Sequence, residues 1–130
     1  MEFVSGNIYI REMRFDKAGE VVEGHGHRFD HTTIVIRGAL KIEHVEPLEW
    51  HEEPSPVATD PPLQVVTKWK TVREVVKRAV EGHNWVLIKA GVIHRITALE
   101  ANTLAHCVYS HRTPQGEIVQ ESDGWMGAFQ

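Results

Sequence analysis

One spacing constrains this chain more than any other feature. From Gly19 it runs five residues to His25, one to His27, three to His31 and six to Gly38. Imidazole is the commonest protein ligand for mid-series divalent metals. In an extended segment side chains alternate with period two, so a His-x-His pair sends both rings to one side. Phe29 and His31 share that parity, and one face of a strand would carry His25, His27, Phe29 and His31. A further histidine, His94, stands three residues after Gly91. The pattern is that of a metal site built on a strand.

The rest of the chain reads as short β runs. Residues 7–15 alternate loosely, and 16–19 (Asp-Lys-Ala-Gly) form a turn signal. Residues 32–37 are β-branched up to Gly38. In the following run Leu40, Ile42 and His44 share one face while Lys41 and Glu43 share the other, the mark of a half-buried strand. Residues 85–88 and 103–109 read as buried strands, and 116–121 as another. Five of the six prolines fall in 46–62, with Trp50, His51, Glu52 and Glu53 among them, which predicts an irregular loop outside the sheets. Residues 72–81 satisfy two patterns. Val72, Val75, Val76, Ala79 and Val80 follow helical spacing behind a Thr71-x-x-Glu74 capping box, yet the valine content suits a strand.

With 130 residues, the expectation is a single domain over 1–130, burying roughly two thirds of its unfolded surface. At 42% hydrophobic and 25% charged the composition is that of an ordinary globular domain. A formal charge of −4 argues against nucleic acid or an anionic membrane as partner, since both attract a basic field. No apolar run approaches a membrane span, and the N-terminal residues lack signal-peptide order. The single cysteine, Cys107, cannot form an internal disulfide and fits a small buried apolar role, so a cytoplasmic setting is expected.

The first motif resembles that of the cupin superfamily: a glycine, five residues, His-x-His, three or four residues, a glutamate, six residues and a glycine. Every spacing is met from Gly19 to Gly38, with His31 standing where the family usually has glutamate. The second cupin motif, Pro-x-Gly, two residues, a histidine, three residues and an asparagine, is matched in part. Gly91 and His94 are kept, Lys89 replaces the proline and Ala98 the asparagine, and Gly82 is displaced by one. The resemblance covers the central two thirds of the chain. It implies an all-β fold, a double-stranded β-barrel or jelly roll, with a metal inside and the proline-rich stretch as an insertion between the motifs. It also favours a strand over a helix for much of 72–81.

On that resemblance the metal ligands are His25, His27, His31 and His94, holding a divalent transition ion among Fe, Mn, Ni, Co, Cu and Zn. The alternative for His31 is a residue just behind the ligands, leaving three histidines. His44, on the inward face, Phe29, between the ligands, and His106, in an apolar strand, are candidates to line the pocket. His51, His83 and His111 are expected in solvent, and Trp50 is a candidate lid over the barrel mouth.

Four neutral imidazoles leave the double charge of a divalent ion uncompensated and attract an anionic oxygen ligand. The leading expectation is a metal-dependent enzyme of the dioxygenase type acting on a small enolisable or phenolic substrate, by analogy with cupin dioxygenases of mostly histidine ligation. Two alternatives stand beside it: a non-oxidative lyase, isomerase or decarboxylase, and a non-catalytic small-ligand-binding cupin. A homodimer would cover exposed barrel edges.

Overall fold

The computed structural model describes residues 1–110 together with 113, 115 and 117. Of the expected strand at 116–121 only Glu117 falls within that set, and His111 lies outside it. The described residues form nine strands and no helix: β1 (Glu2–Ser5), β2 (Ile8–Phe15), β3 (Val21–His25), β4 (His31–Arg37), β5 (Ala39–Glu53), β6 (Leu63–Arg78), β7 (Trp85–Ile88), β8 (His94–Ala98) and β9 (Thr103–Ser110). No helix among them is long and apolar enough to cross a membrane.

All the pairings are antiparallel. One sheet runs β1-β2-β9-β4-β7 and the other β3-β8-β5-β6. This is the all-β jelly roll that the cupin resemblance implied. The period-two pattern explains the layering. In β4 the residues His31, Thr33 and Val35 are buried, and in β8 His94, Ile96 and Ala98. With Met13, Phe15, Leu40, Ile42, Ile88, Ala105 and Cys107 these faces close on one core. β7 is an edge strand and not a fully buried one. Val86 and Ile88 pack on or beside the core, while Trp85 and Leu87 are about half exposed on the other face.

The chain passes from one sheet to the other at Gly38, between β4 and β5. Its φ of +80° lies in the left-handed region that side chains disfavour. A Cβ there would overlap Thr103 Oγ1 and come within 3.0 Å of the Thr103 Cα. That hydroxyl cannot give way freely, because it donates to the Glu100 carbonyl at 2.8 Å and accepts from the Ala39 N–H at 3.4 Å. Gly38 is therefore required by both backbone and packing.

One expectation is corrected and one open choice is settled. Residues 46–53 are not a loop, since β5 continues through Pro47 to Glu53, paired with β6. Proline is excluded where its missing N–H would break a ladder, but β8 pairs with β5 only over residues 40–44. Past Val45, whose N–H still donates to the Ile93 carbonyl at 2.9 Å, that side of β5 has no strand paired to it, and the register slips between Pro47 and Glu49 on the other. The remaining four prolines of the stretch fall in 54–62, outside the strands. For 72–81, where local spacing left helix and strand open, the structure shows the strand that the resemblance favoured. β6 runs to Arg78, and the Thr71 hydroxyl donates to the Glu43 carboxylate at 2.6 Å where a helix cap would turn it inward on its own chain.

β5 and β6 thus project beyond the barrel as a two-stranded arm whose side chains are largely exposed, among them Leu48, Trp50 and Leu63. Trp69, nearer its base, turns back onto the β3 segment. A Cβ on Gly24 would lie 3.1 Å from that ring.

Gly38→Ala should destabilise the fold by about 2–4 kcal/mol, the sum of left-handed strain and overpacking. The shift would appear in the denaturant midpoint at unchanged slope. Replacing residues 50–66 by a short glycine linker should leave the β circular-dichroism signature and a cooperative melt. Loss of cooperative unfolding would mean the arm is part of the core.

Candidate metal centre

The first motif does not lie on one strand. His25 closes β3 in one sheet, His31 opens β4 in the other, and residues 26–30 cross the gap between them without strand structure. Ladder alternation therefore does not bring the rings together. Ties to the turn before β8 do so. The Gly91 N–H donates to the His27 carbonyl at 2.8 Å, and Asp30 accepts from the Ala90 N–H and the Lys89 ammonium, both at 2.8 Å. Gly91 has a φ of +81°, which the turn requires. These bonds seat the loop of His27 against the turn that delivers His94, and His94 pairs directly across from His25.

Four imidazoles converge. Ring centroids are 4.3 Å apart for His25 and His94, 5.0 Å for His25 and His27, 4.8 Å for His27 and His31, and 5.1 Å for His31 and His94. One ligating nitrogen from each of His25, His27 and His94 lies within 4.8 Å of the others; His31 stands outside that group, its ring beside those of His27 and His94. The His25 Nδ1–H donates to the Glu23 carbonyl at 2.9 Å and the His94 Nδ1–H to the Val92 carbonyl at 3.2 Å, tautomers assigned from those acceptors. Both assignments leave Nε2 with a free lone pair, the arrangement common in metal-ligating histidines.

Three of these nitrogens are buried with no hydrogen bond of good geometry, Nε2 of His94 and both ring nitrogens of His31, although the Phe29 backbone is near enough to His31 to oppose the fall in its pKa. An unmade hydrogen bond on a buried polar group costs about 1–3 kcal/mol, and native folds rarely leave them. Burial above all drives the pKa values of His31 and His94 down to about 4, with neighbouring imidazoles adding to the effect. His27 is lowered too, by burial first and then by His25 and Arg11. Neutral rings with unused lone pairs are the state a divalent transition ion requires, so the residues present fit such an ion. The spread of the nitrogens is on the scale of the roughly 4 Å across a metal–imidazole sphere.

The other sequence candidates are placed unevenly. His44 faces inward, directly opposite His94 on β8, and both line a cavity of about 360 Å³. Phe29 stacks on His27 at 5.2 Å and meets Tyr109 at a tilt, 4.4 Å between centroids, and Tyr109 stacks on Tyr9 at 4.6 Å. His106 does not join them. Its neighbours Ala105 and Cys107 point into the core, so alternation turns it outward, where its Nε2 lies 3.6 Å from Glu12. His51 pairs with Glu53 at 2.8 Å on the exposed arm, and His83 is exposed. Trp50 is half exposed on the arm, and Trp69 is the ring that packs beside the histidines' strand. Cys107 is a buried thiol raised in pKa by desolvation. Tyr9 and Tyr109 were missed, because only the β2–β9 register makes them cross-strand partners.

The depressed histidines carry a pH signature for the metal-free protein. An unfolded histidine titrates near 6.5. Between 6.5 and about 4 the unfolded chain binds protons that folded His31 and His94 refuse. Their contribution is fully present above about pH 6.5 and is lost as pH falls toward 4. A chelated sample should therefore lose stability over that window. His31→Leu, which removes two unpartnered nitrogens, should be at least as stable at pH 7 and less sensitive to acid. An unchanged acid slope in that variant would mean that His31 is not held neutral.

No protein-family model and no curated protein matches the sequence. Solved structures match by fold. KdgF from Halomonas sp. superposes with a TM-score of 0.54 at 17% identity, covering 85% of this chain and 76% of that one. Hydroquinone 1,2-dioxygenase PnpCD, in complex with Cd2+ and 4-hydroxybenzonitrile, gives 0.51 at 18%, covering 92% and 69%. The dTDP-4-dehydrorhamnose 3,5-epimerase of Bacillus anthracis gives 0.50 at 16%, covering 87% and 59%. By fold the chain is similar to these proteins, and its two facing sheets are the jelly roll that the cupin resemblance implied.

Proposed function

We propose that His25, His27, His31 and His94 hold a divalent transition metal ion and that the chain is a metal-dependent enzyme of the dioxygenase type, acting on a small enolisable or phenolic substrate. The observation that carries this reading is the set of buried, unpartnered imidazole nitrogens at the centre of the barrel. A divalent ion there would supply an electrophilic centre for an anionic substrate oxygen and, if redox-active, for dioxygen. With four neutral ligands none of its charge is cancelled by the protein.

The chain's own residues add shape and restraint. Phe29, packed against His27 and Tyr109, forms an aromatic wall beside the cluster, suited to a planar ring or enol. The Val92 and Glu23 carbonyls fix the orientation of His94 and His25. His44, one strand from His94, is a polar group facing the same space. The hydroquinone dioxygenase and the epimerase show how widely one fold can be used, and the oxidative reading takes the first as its analogy.

Elemental analysis of protein from unbiased medium should find close to one equivalent of a transition metal. His27→Ala and His94→Ala should each drop it well below half. Full occupancy in both variants would overturn the ligand set. His31→Glu should keep the metal while weakening binding of anionic ligands. Loaded protein should consume oxygen with a member of an enolisable and phenolic panel. Equal turnover without oxygen would move the reading to a lyase, isomerase or decarboxylase, and binding without turnover to a non-catalytic cupin.

A further inference from the structure

The cavity of about 360 Å³ that reaches His94 opens between the edge strands β6 and β7, away from the aromatic wall. Its volume is that of a small-molecule site. The interior is apolar, formed by Ile42, Val75, Val86, Ile88 and Val92. The outer lining is cationic, with Arg73, Lys77 and Lys89 against one carboxylate, Glu74. This gathering stands out in a chain whose formal charge is −4.

Register explains the placement. Arg73 pairs with His44 across β6 and β5, and His44 pairs with His94 across β5 and β8. Directly opposed residues in antiparallel strands point to the same face, so Arg73, His44 and His94 form one row that runs from the exposed Arg73 at the cleft's rim to the buried His94. Val75 and Lys77 follow on the same face, opposite Ile42 and Leu40. Two strand spacings separate Arg73 from His94, about 10 Å between backbones. Lys89 is already held by Asp30 at 2.8 Å. Arg73 and Lys77 take part in none of the ion pairs among the described residues.

We infer that this cleft is a carboxylate-binding subsite, with Arg73 and Lys77 as the anchor. The substrate class is a small organic acid. Its apolar body lies on the valine and isoleucine floor, its carboxylate meets Arg73 and Lys77, and an oxygen at its other end reaches the histidine cluster. The assignment rests on the metal-centre reading for the role of that second oxygen and on the cleft alone for the carboxylate. Arginine suits the task because its planar fork accepts a carboxylate in a bidentate pair.

The probes are 4-hydroxybenzoate and its neutral methyl ester, titrated calorimetrically into metal-loaded protein and into chelated protein. The wild type should prefer the acid at least tenfold in both forms, and the preference should shrink with added salt. Arg73→Gln with Lys77→Gln should abolish the preference while leaving affinity for the ester, the melting temperature and the metal content unchanged. Arg73→Lys should keep much of it. Arg11→Gln, on β2 near His27 and the aromatic wall, should leave it intact. No preference in the wild type, a preference that survives the double substitution, or one lost instead in Arg11→Gln would each overturn the assignment. Failure of the metal-centre reading would appear separately, as absent metal with the preference retained in the chelated protein.

Discussion

The rest of the molecule is arranged around a local deficit, namely imidazole nitrogens taken out of water and given nothing to bond. A fold tolerates such groups only if something else gains from their exposure to one another, or if an ion completes them. The barrel makes the deficit possible. β4 and β8 each turn a histidine inward at one end and apolar or hydroxyl residues behind it, so the cluster sits on a packed floor. The same packing that lowers the pKa of His31 and His94 keeps their lone pairs available. A ligand that binds only the folded form adds stability by RT ln(1 + [L]/Kd), about 2.7 kcal/mol at a hundredfold excess, which is the scale needed to offset one or two such nitrogens.

Holding four rings from two sheets together needs restraints outside the ring contacts. On the loop side Asp30 and the His27 carbonyl tie the first motif to the turn at Lys89–Gly91. On the outer face of the second sheet, Glu43 is nearly buried yet accepts from Arg95 at 3.1 and 3.3 Å and from Thr71 at 2.6 Å, and lies 3.6 Å from Lys41. Arg95 and Thr71 hold the Glu43 carboxyl below the usual carboxylate range despite its burial. That group joins β5, β6 and β8 just behind His94. Breaking a buried pair by removing one partner is far more damaging than the pair's net worth, because a lone charge is left behind.

Much of this was legible in the sequence and some was not. The spacing from Gly19 to Gly38 and the later His94 singled out four histidines whose rings the structure places near one another. The mechanism of convergence was not legible: the motif straddles two sheets, and the bonds that close it involve Asp30 and backbone groups with no pattern of their own. Proline density misled because the cost of a proline depends on whether a neighbouring strand wants its N–H, and β8 stops before Pro47. Helical spacing in 72–81 lost to a ladder with β5 that no local window contains. His106 turns away from the pocket, and Arg73, which carries no signal in the sequence, turns toward it, for one reason. Parity decides which way a strand residue faces, and parity is known only once the register is.

The projecting β5–β6 arm divides the molecule into two tiers of persistence. A two-stranded ribbon with exposed side chains has little of its own to hold it closed, whereas β4, β8 and β9 are locked between neighbours on both sides or by the core. Amide protons on 46–53 and 63–69 would exchange through frequent local fraying, those of the barrel only through rarer, larger openings. Because Trp69 sits at the boundary and leans on Gly24, one residue before His25, the fraying ends within contact of the strand that carries the first histidine. The slow part of the molecule holds the rings, and the fast part begins one side chain away.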